Sequence, residues 1–126
     1  MPRISTKKPP PHLLSGQAGE AQALRFLQAR GLKLCTQNYR ARRGEIDLVM
    51  RHGGILVFVE VRYRAKGSLV SPLESVTPSK QRKLVAAAER YLYAHPGANQ
   101  FQCRFDVVAI CGTDEPQWVQ SAFDAQ

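Results

Sequence analysis

The segment 44–64, GEIDLVMRHGGILVFVEVRYR, carries the clearest pattern of hydrophobic and polar positions in the chain. Apolar side chains alternate on both sides of Gly53-Gly54, a pair that can take positive φ at both central positions of a two-residue turn. The pattern therefore predicts two antiparallel strands joined at that turn. The face predicted to be apolar and buried consists of Ile46, Leu48, Met50, Val57, Val59 and Val61.

The other elements are predicted from helical spacing and from end signals. Leu24 and Leu27 lie on one face of a helix that Gly31 would close, and Thr77-Pro78 is typical of a helix start. The order α-β-β-β-α-β predicts an α/β domain with a mixed β-sheet flanked by helices. Its segments are a helix over 15–30, a strand over 32–40, the hairpin over 44–64, a loop over 65–76, a helix from 78 to about 95, a strand over 102–110 and a short final strand over 118–123.

The turn sets the register of the hairpin and opposes two acids. If Gly53-Gly54 is the turn, Asp47 lies opposite Glu60, and Glu45 lies opposite Arg62. Directly opposed like charges destabilise a sheet, so the Asp47/Glu60 pair needs a physical reason. A divalent cation provides one, because Mg²⁺ commonly takes one or two carboxylates together with water and phosphate oxygens. A surface charge pair bridged by neighbouring arginines is the alternative.

Charge and composition narrow the class of partner. With 126 residues, a net charge of +8 and a pI near 9.9, the chain predicts one domain over 13–126 that binds a polyanion, either nucleic acid or acidic lipid. The basic, proline-rich residues 1–12 predict a flexible arm. Three cysteines without CxxC spacing argue against a zinc site and for a reducing compartment. No apolar run is long enough to span a membrane, so we expect a cytoplasmic protein.

Acids are scarce in the basic half of the chain, which makes their positions informative. The first 73 residues hold thirteen lysines and arginines but four acids, and three of those four lie in the hairpin. The fourth, Glu20, falls in the apolar stripe of the first helix, one turn before Leu24. It is a candidate site residue, although an acid near a helix N-terminus is also favoured by about 0.3–1 kcal/mol. Asp106 is expected to be structural and paired with Arg104, and Trp118 and the Tyr91/Tyr93 pair are expected to pack.

The order of elements and several short motifs resemble a known family. The spacing Asp47-x₁₂-Glu60-x-Arg62, with an acid on the first helix, resembles the PD-(D/E)xK nuclease superfamily. Over about residues 15–110 the chain is more closely similar to the uncharacterised bacterial YraN family, whose members resemble Holliday-junction resolvases. The motifs that carry this resemblance are Gly19-Glu20, Asn38-Tyr39-Arg40, Gly44-Glu45-Ile46-Asp47-Leu48, Phe58-Val59-Glu60-Val61-Arg62, Val76-Thr77 with Lys80-Gln81, and Arg104-Phe105-Asp106-Val107-Val108.

The resemblance implies a restriction-endonuclease-like fold and a metal-dependent endonuclease acting on structured or branched DNA. Asp47 and Glu60 would bind Mg²⁺ or Mn²⁺, and Glu20 and Arg62 would complete the catalytic group. Arg62 stands where the family usually has lysine. Arginine keeps the positive charge but does not release a proton, so Arg62 would pair with Glu45 or stabilise the reacting phosphate. A nucleic-acid-binding protein that cleaves weakly or not at all is therefore the alternative, as is an adaptor in a DNA-processing complex.

The basic side chains indicate where DNA would lie. Lysines in the first turns of the second helix oppose the helix dipole, which phosphate contacts would explain, although a solvated face would also explain it. A homodimer and a DNA-processing protein partner are both left open. The residues expected to contact nucleic acid are Arg40, Arg42, Arg43, Arg64, Lys80, Gln81 and Lys83.

Overall fold

In the part of the chain that the structure describes, two α-helices and five strands build the domain. The structure, a computed structural model, describes residues 11–64, 71–112 and 115–125, with side chains from residue 19 onward. The elements are α1 (Pro11–Ala29), β1 (Lys33–Ala41), β2 (Gly44–His52), β3 (Ile55–Tyr63), α2 (Pro78–Ala94), a 3₁₀ turn (Pro96–Gln100), β4 (Gln102–Ile110) and β5 (Gln117–Phe123). The predicted order α-β-β-β-α-β is confirmed, and the short final strand is β5.

The first helix begins earlier than the sequence predicts. It starts at Pro11 rather than near Ser15, because proline is well tolerated in the first turn of a helix. The last two residues of the predicted arm therefore belong to α1, and the rest of that arm lies outside the described residues. The helix ends as expected at Gly31, which has φ of +95° and allows the Leu32 N–H to donate to the Leu27 carbonyl at 3.1 Å.

The strands form one mixed sheet in the order β1-β2-β3-β4-β5. Neighbouring strands are antiparallel except β3 and β4, which are parallel. Parallel neighbours require a crossover connection, and α2 provides it. The predicted α/β class and restriction-endonuclease-like fold are confirmed by this mixed sheet and its flanking helices. Among the described residues, no helix is long and apolar enough to cross a lipid bilayer.

Each helix covers one face of the sheet. α1 packs through Ala23 and Leu27 on a cluster that includes Val57, Val59 and Val108. α2 packs on the opposite face, where its buried residues are Leu84, Val85, Ala87, Ala88 and Tyr91. Because β3 and β4 are covered on both faces, they are the most hydrophobic strands, as expected for parallel neighbours in the centre of a sheet.

The strand β2 changes the faces of its side chains at Asp47. Leu48 belongs to the cluster under α1, whereas Ile46 belongs to the cluster under α2. The prediction that Ile46 shares a face with Leu48 and Met50 is therefore wrong. On the neighbouring strand β1, Asn38 has φ of +55° and interrupts the alternation at the same level of the sheet. Asp47 consequently lies where the pleat is irregular and its carboxylate can turn toward β3.

Candidate functional site

The hairpin has the register that the Gly53-Gly54 turn predicts. Gly53 has φ of +63°, and the pairs run from His52↔Ile55 to Leu48↔Val59. Beyond that pair the backbone ladder ends, and Asp47 Oδ2 accepts a hydrogen bond of 2.8 Å from the Val61 N–H. The strands therefore separate at the level of Asp47 and Glu60, and the Asp47 side chain replaces a backbone acceptor there.

Asp47 and Glu60 lie close together at this opening, near enough for each to shift the pKa of the other. The Glu60 side chain is 5% exposed. Burial, followed by repulsion from Asp47, raises the pKa of Glu60 from 4.5 to about 7. Burial also raises the pKa of Asp47, while the Val61 N–H opposes that rise. Glu60 thus keeps its proton until near neutrality, and the two carboxyl groups share a position that a cation can take.

Two cations lie against the Glu60 carboxyl group. Arg62 Nη1 is 3.3 Å and Lys80 Nζ is 3.9 Å from Glu60 Oε2. The predicted pairing of Arg62 with Glu45 is wrong, because Glu45 contacts Arg40 at 3.5 Å across the β1–β2 ladder. A guanidinium and an ammonium group therefore approach the same oxygen of the buried Glu60, so positive charge is concentrated around this side chain.

Lys80 is placed by the start of α2. The Thr77 hydroxyl accepts a hydrogen bond of 3.2 Å from the Lys80 N–H, and Pro78 follows the cap. The sequence indicated Lys80 as a phosphate contact but not as a neighbour of Glu60. Helix spacing alone cannot show that contact, because it depends on where α2 docks on the sheet. The neighbouring Gln81 donates through Nε2 to the Val76 carbonyl at 3.0 Å, which engages its amide within the protein.

Glu20 lies close enough to the pair to feel its charge. Burial raises the pKa of Glu20, Asp47 raises it further, and a hydrogen bond from the Asn38 side chain opposes both effects. Among residues 11–64, 71–112 and 115–125, however, no three His, Cys, Asp or Glu side chains are grouped to hold a metal ion. Asp47 and Glu60 are therefore two described carboxylates that could hold a cation here as a pair.

The connection between β1 and β2 carries the arginines predicted to contact nucleic acid. Arg42 and Arg43 form the turn, and a shallow cleft of about 360 Å³ separates them from Lys80 and Lys83 on α2. Gly44 fixes this arrangement, since a Cβ atom built there would lie 2.6 Å from the Lys83 carbonyl oxygen. The structure therefore brings Arg40, Arg42, Arg43, Lys80 and Lys83 together, whereas Arg64 does not line this cleft.

A second buried acid has a structural role. Asp106 is fully buried, and its oxygens accept hydrogen bonds from Arg104 Nε, from the Trp118 indole N–H and from the Ser121 backbone N–H, at 2.9–3.1 Å. This network confirms the structural interpretation of Asp106. Trp118 also packs edge-on against the Phe26 ring, as predicted for a packing residue. The network joins β4 to β5 and stands apart from the carboxylate pair.

Of the two neighbouring tyrosines on α2, only one packs as predicted. Tyr91 is 5% exposed and contacts Tyr39 edge-on. Tyr93 is 76% exposed, so the prediction that it is a packing residue rather than one available for base stacking is wrong. Residues two apart in a helix point in directions that differ by about 200°. Because Tyr91 faces the sheet, Tyr93 points away from it.

These features define a restriction-endonuclease-like α/β domain with a buried carboxylate pair beside two cations. The sequence model of the family described as "Uncharacterised protein family UPF0102" matches residues 19–110, so the chain belongs to that family. Family membership confirms the YraN resemblance.

The chain is similar to curated UPF0102 proteins along most of its length. It is 54% identical to one from Aeromonas hydrophila over 109 residues, 86% of this chain and 83% of the relative. It is 48% identical to one from Nitrosococcus oceani over 119 residues, 92% of this chain and 96% of the relative. The protein from Alkalilimnicola ehrlichii is 47% identical over 125 residues, 99% and 98% of the two chains.

Proposed function

We propose that this protein is a metal-dependent endonuclease that acts on structured or branched DNA. The observation that carries the proposal is the proximity of Asp47 and Glu60 where the hairpin opens, with Arg62 and Lys80 against Glu60. A purely structural acid such as Asp106 has its hydrogen-bond acceptors satisfied by N–H donors. Asp47 and Glu60 also accept hydrogen bonds from N–H donors, but each in addition faces the carboxylate of the other, an arrangement that is costly without a cation between them.

The residues present fit Mg²⁺ or Mn²⁺. These ions prefer carboxylate oxygens, and Mg²⁺ typically needs one or two from the protein because water and substrate phosphate fill the other positions. Asp47 and Glu60 would hold the ion, with Glu20 nearby to orient water. When bound, such an ion supplies positive charge at the scissile phosphate.

The protein's own cations have separate roles in this proposal. Arg62 remains charged throughout and can donate two N–H groups to phosphate oxygens, so it orients the phosphate and stabilises negative charge that develops there. Lys80 reaches the same carboxylate from α2 and adds a second, more compact charge. Both side chains could contact a phosphate bound beside Glu60 without moving far from their present positions.

The ligand is inferred to be DNA from the distribution of charge. The net charge is +8, and five cations from two elements meet in the cleft beside Lys80. Such clusters bind phosphates without regard to base sequence. A site that selects substrates by the path of the backbone rather than by base contacts suits branched or otherwise structured DNA.

The proposal is tested by cleavage assays on a four-way junction, a duplex and a single strand of related sequence, with Mg²⁺, with Mn²⁺ and with EDTA. We expect metal-dependent cleavage by the wild type and loss of at least a hundredfold in Asp47→Asn and Glu60→Gln. Glu115→Gln is the matched control, because Glu115 forms an exposed pair with Arg30. Cleavage that persists in both site variants would indicate a contaminating nuclease and remove support for the proposal.

A nucleic-acid-binding protein without cleavage activity is the second candidate, and Arg62 favours it. Arginine cannot act as the proton acceptor that lysine can become. In that case the junction is bound but remains intact with either metal. A homodimer or an adaptor role with a DNA-processing protein would be compatible with such binding.

A further inference from the structure

A second, larger cleft lies on the other side of the arginine turn. It has a volume of about 730 Å³ and runs between the end of β1 and the middle of α2. One wall is formed by residues 39–43, which include Arg40, Arg42 and Arg43, and the other contains Ala86, Glu89 and Arg90. The same three arginines line the shallow cleft beside Lys80 and Lys83, so one basic turn separates two adjoining clefts.

The helix wall of this cleft continues to an exposed aromatic ring. Ala86, Glu89, Arg90 and Tyr93 follow the spacing i, i+3, i+4, i+7 and therefore lie on one face of α2. The Arg90 guanidinium lies 5.1 Å from the centroid of the Tyr93 ring, and 76% of Tyr93 is exposed. Isolated apolar side chains at a surface are common, but here the ring adjoins a basic cleft.

We propose that this cleft binds an unpaired DNA strand and that a base of the strand stacks on Tyr93. The inference rests on the proposed function in taking DNA as the ligand, but it concerns binding and does not require cleavage. A positively charged groove that follows the backbone, with an aromatic ring on which bases stack, is the usual arrangement for binding single strands. The arginine beside the ring adds a cation–π contribution.

The two walls determine how the strand lies. Phosphates are attracted to the wall formed by Arg40, Arg42 and Arg43, whereas the Glu89 carboxylate on the opposite wall repels them. The bases therefore face α2, where the small side chain of Ala86 leaves room and Glu89 can accept hydrogen bonds from exocyclic amino groups. This orientation brings the bases toward Tyr93.

The cleft extends the carboxylate site in one direction. Lys80 and Tyr93 are thirteen residues apart on α2, which corresponds to about 20 Å along the helix. A strand that leaves the carboxylate pair past Lys80 and Lys83 would cross the arginine turn and enter the cleft. We therefore infer that the preferred substrate has an unpaired segment next to the bond near Asp47 and Glu60.

The test is fluorescence anisotropy with labelled oligo(dT) and with a duplex of equal length, in EDTA so that nothing is cleaved. Tyr93→Ala should weaken oligo(dT) binding about 5- to 150-fold, the range for loss of one base–aromatic stack. Tyr93→Phe should bind within about twofold of wild type, since the ring is retained. Tyr63→Ala is the matched control, because Tyr63 is also exposed but contacts the α1 side near Gly19.

The outcomes separate this inference from the proposed function. Selective loss of oligo(dT) binding in Tyr93→Ala, with duplex binding and melting temperature retained, supports it. Unchanged binding in Tyr93→Ala, equal losses in Tyr93→Ala and Tyr63→Ala, or no oligo(dT) binding by the wild type would overturn it. Absence of cleavage by the wild type together with Tyr93-dependent oligo(dT) binding would reject the proposed nuclease activity but support strand binding in the cleft.

Discussion

Asp47 accepts a hydrogen bond of 2.8 Å from the backbone N–H of Val61, directly beyond the last backbone pair between β2 and β3. The bond satisfies an N–H that the separating strands would otherwise leave without its ladder partner. It also fixes the direction of the Asp47 carboxylate, which then meets Glu60. One contact therefore both ends the hairpin ladder and orients the candidate metal site.

The first prediction concerns metal binding by the two acids. Calorimetric titration of Mn²⁺ or Mg²⁺ should show one site in the wild type and none in Asp47→Ala or Glu60→Ala, because each variant removes one of the two protein ligands. Glu115→Ala should bind like the wild type. If Asp47→Ala retained the wild-type affinity, the Asp47/Glu60 pair would not be the metal site.

The second prediction concerns Arg62. Arg62→Lys should increase the metal-dependent rate of cleavage, since lysine is more compact than arginine and releases a proton more readily. The same substitution should produce cleavage if the wild type is inactive only because it has no lysine at this position. Single-turnover rates on the preferred substrate provide the measurement. A lower rate in Arg62→Lys would instead show that the guanidinium is needed to stabilise charge at the phosphate.

Lys80 provides the control for this experiment. Because Lys80 contacts the same Glu60 oxygen as Arg62, it could already supply the compact charge. Arg62→Lys should therefore increase the rate modestly in the wild-type background and more strongly in Lys80→Met. An equal effect in both backgrounds would show that the two cations act independently.

The third prediction is a pH dependence that follows from Glu60. The folded protein retains the Glu60 proton up to its pKa of about 7, whereas an ordinary glutamate releases it near 4.5. The folded state therefore binds more protons between these values, and this contribution to stability is complete below about pH 4.5 and is lost as pH rises through 7. Urea unfolding in EDTA should show a fall in the free energy of unfolding over this range that is smaller in Glu60→Gln.

Metal affinity should change in the opposite direction. The cation requires the deprotonated carboxylate, so the association constant should rise about tenfold per pH unit below pH 7 and level off above it. Saturating Mn²⁺ should accordingly stabilise the protein more at pH 8 than at pH 6. A pH-independent association constant would show that Glu60 does not exchange its proton for the metal.

The sequence predicted most of the fold because the signals that determine it are local. The Gly53-Gly54 turn, the Thr77 cap and the Gly31 helix end were each found at the expected position. The face of the sheet on which Ile46 lies was predicted wrongly. The prediction assumed strict alternation along the strand, whereas Asn38 on the neighbouring strand has a positive φ that disturbs the pleat. The start of α1 at Pro11 is not predictable in the same way, because a proline-rich segment is typical of non-helical chain.

The site was less predictable, because its contacts join distant parts of the chain. The register of one hairpin was sufficient to bring Asp47 and Glu60 together. The contact of Lys80 with Glu60 and the exposure of Tyr93 depend on how α2 docks and rotates against the sheet. Periodicity gives the apolar face of a helix but not which polar residue of a distant strand that helix will meet.

The fourth prediction separates the structural acid from the site acids. Asp106→Ala should lower the free energy of unfolding by about 3–5 kcal/mol, since it leaves Arg104, whose side chain is 13% exposed, without its carboxylate partner. The Trp118 N–H also loses its acceptor, so the emission of Trp118 should change. Asp47→Asn should cost far less stability. Comparable losses for the two variants would contradict this division of roles.

The fifth prediction concerns the strength of the electrostatic contribution to DNA binding. Each phosphate neutralised on duplex DNA contributes a slope of about −0.9 to the log–log dependence of affinity on salt. Arg42→Gln combined with Arg43→Gln should therefore make the slope shallower by about 1.8, and Lys83→Gln by about 0.9, if each cation contacts one phosphate. Arg25→Gln is the control, because this exposed arginine lies on α1 and lines neither cleft. Equilibrium binding measured from low to physiological salt gives the slopes, and an affinity that does not change with salt would show that the arginine turn is not the DNA-binding surface.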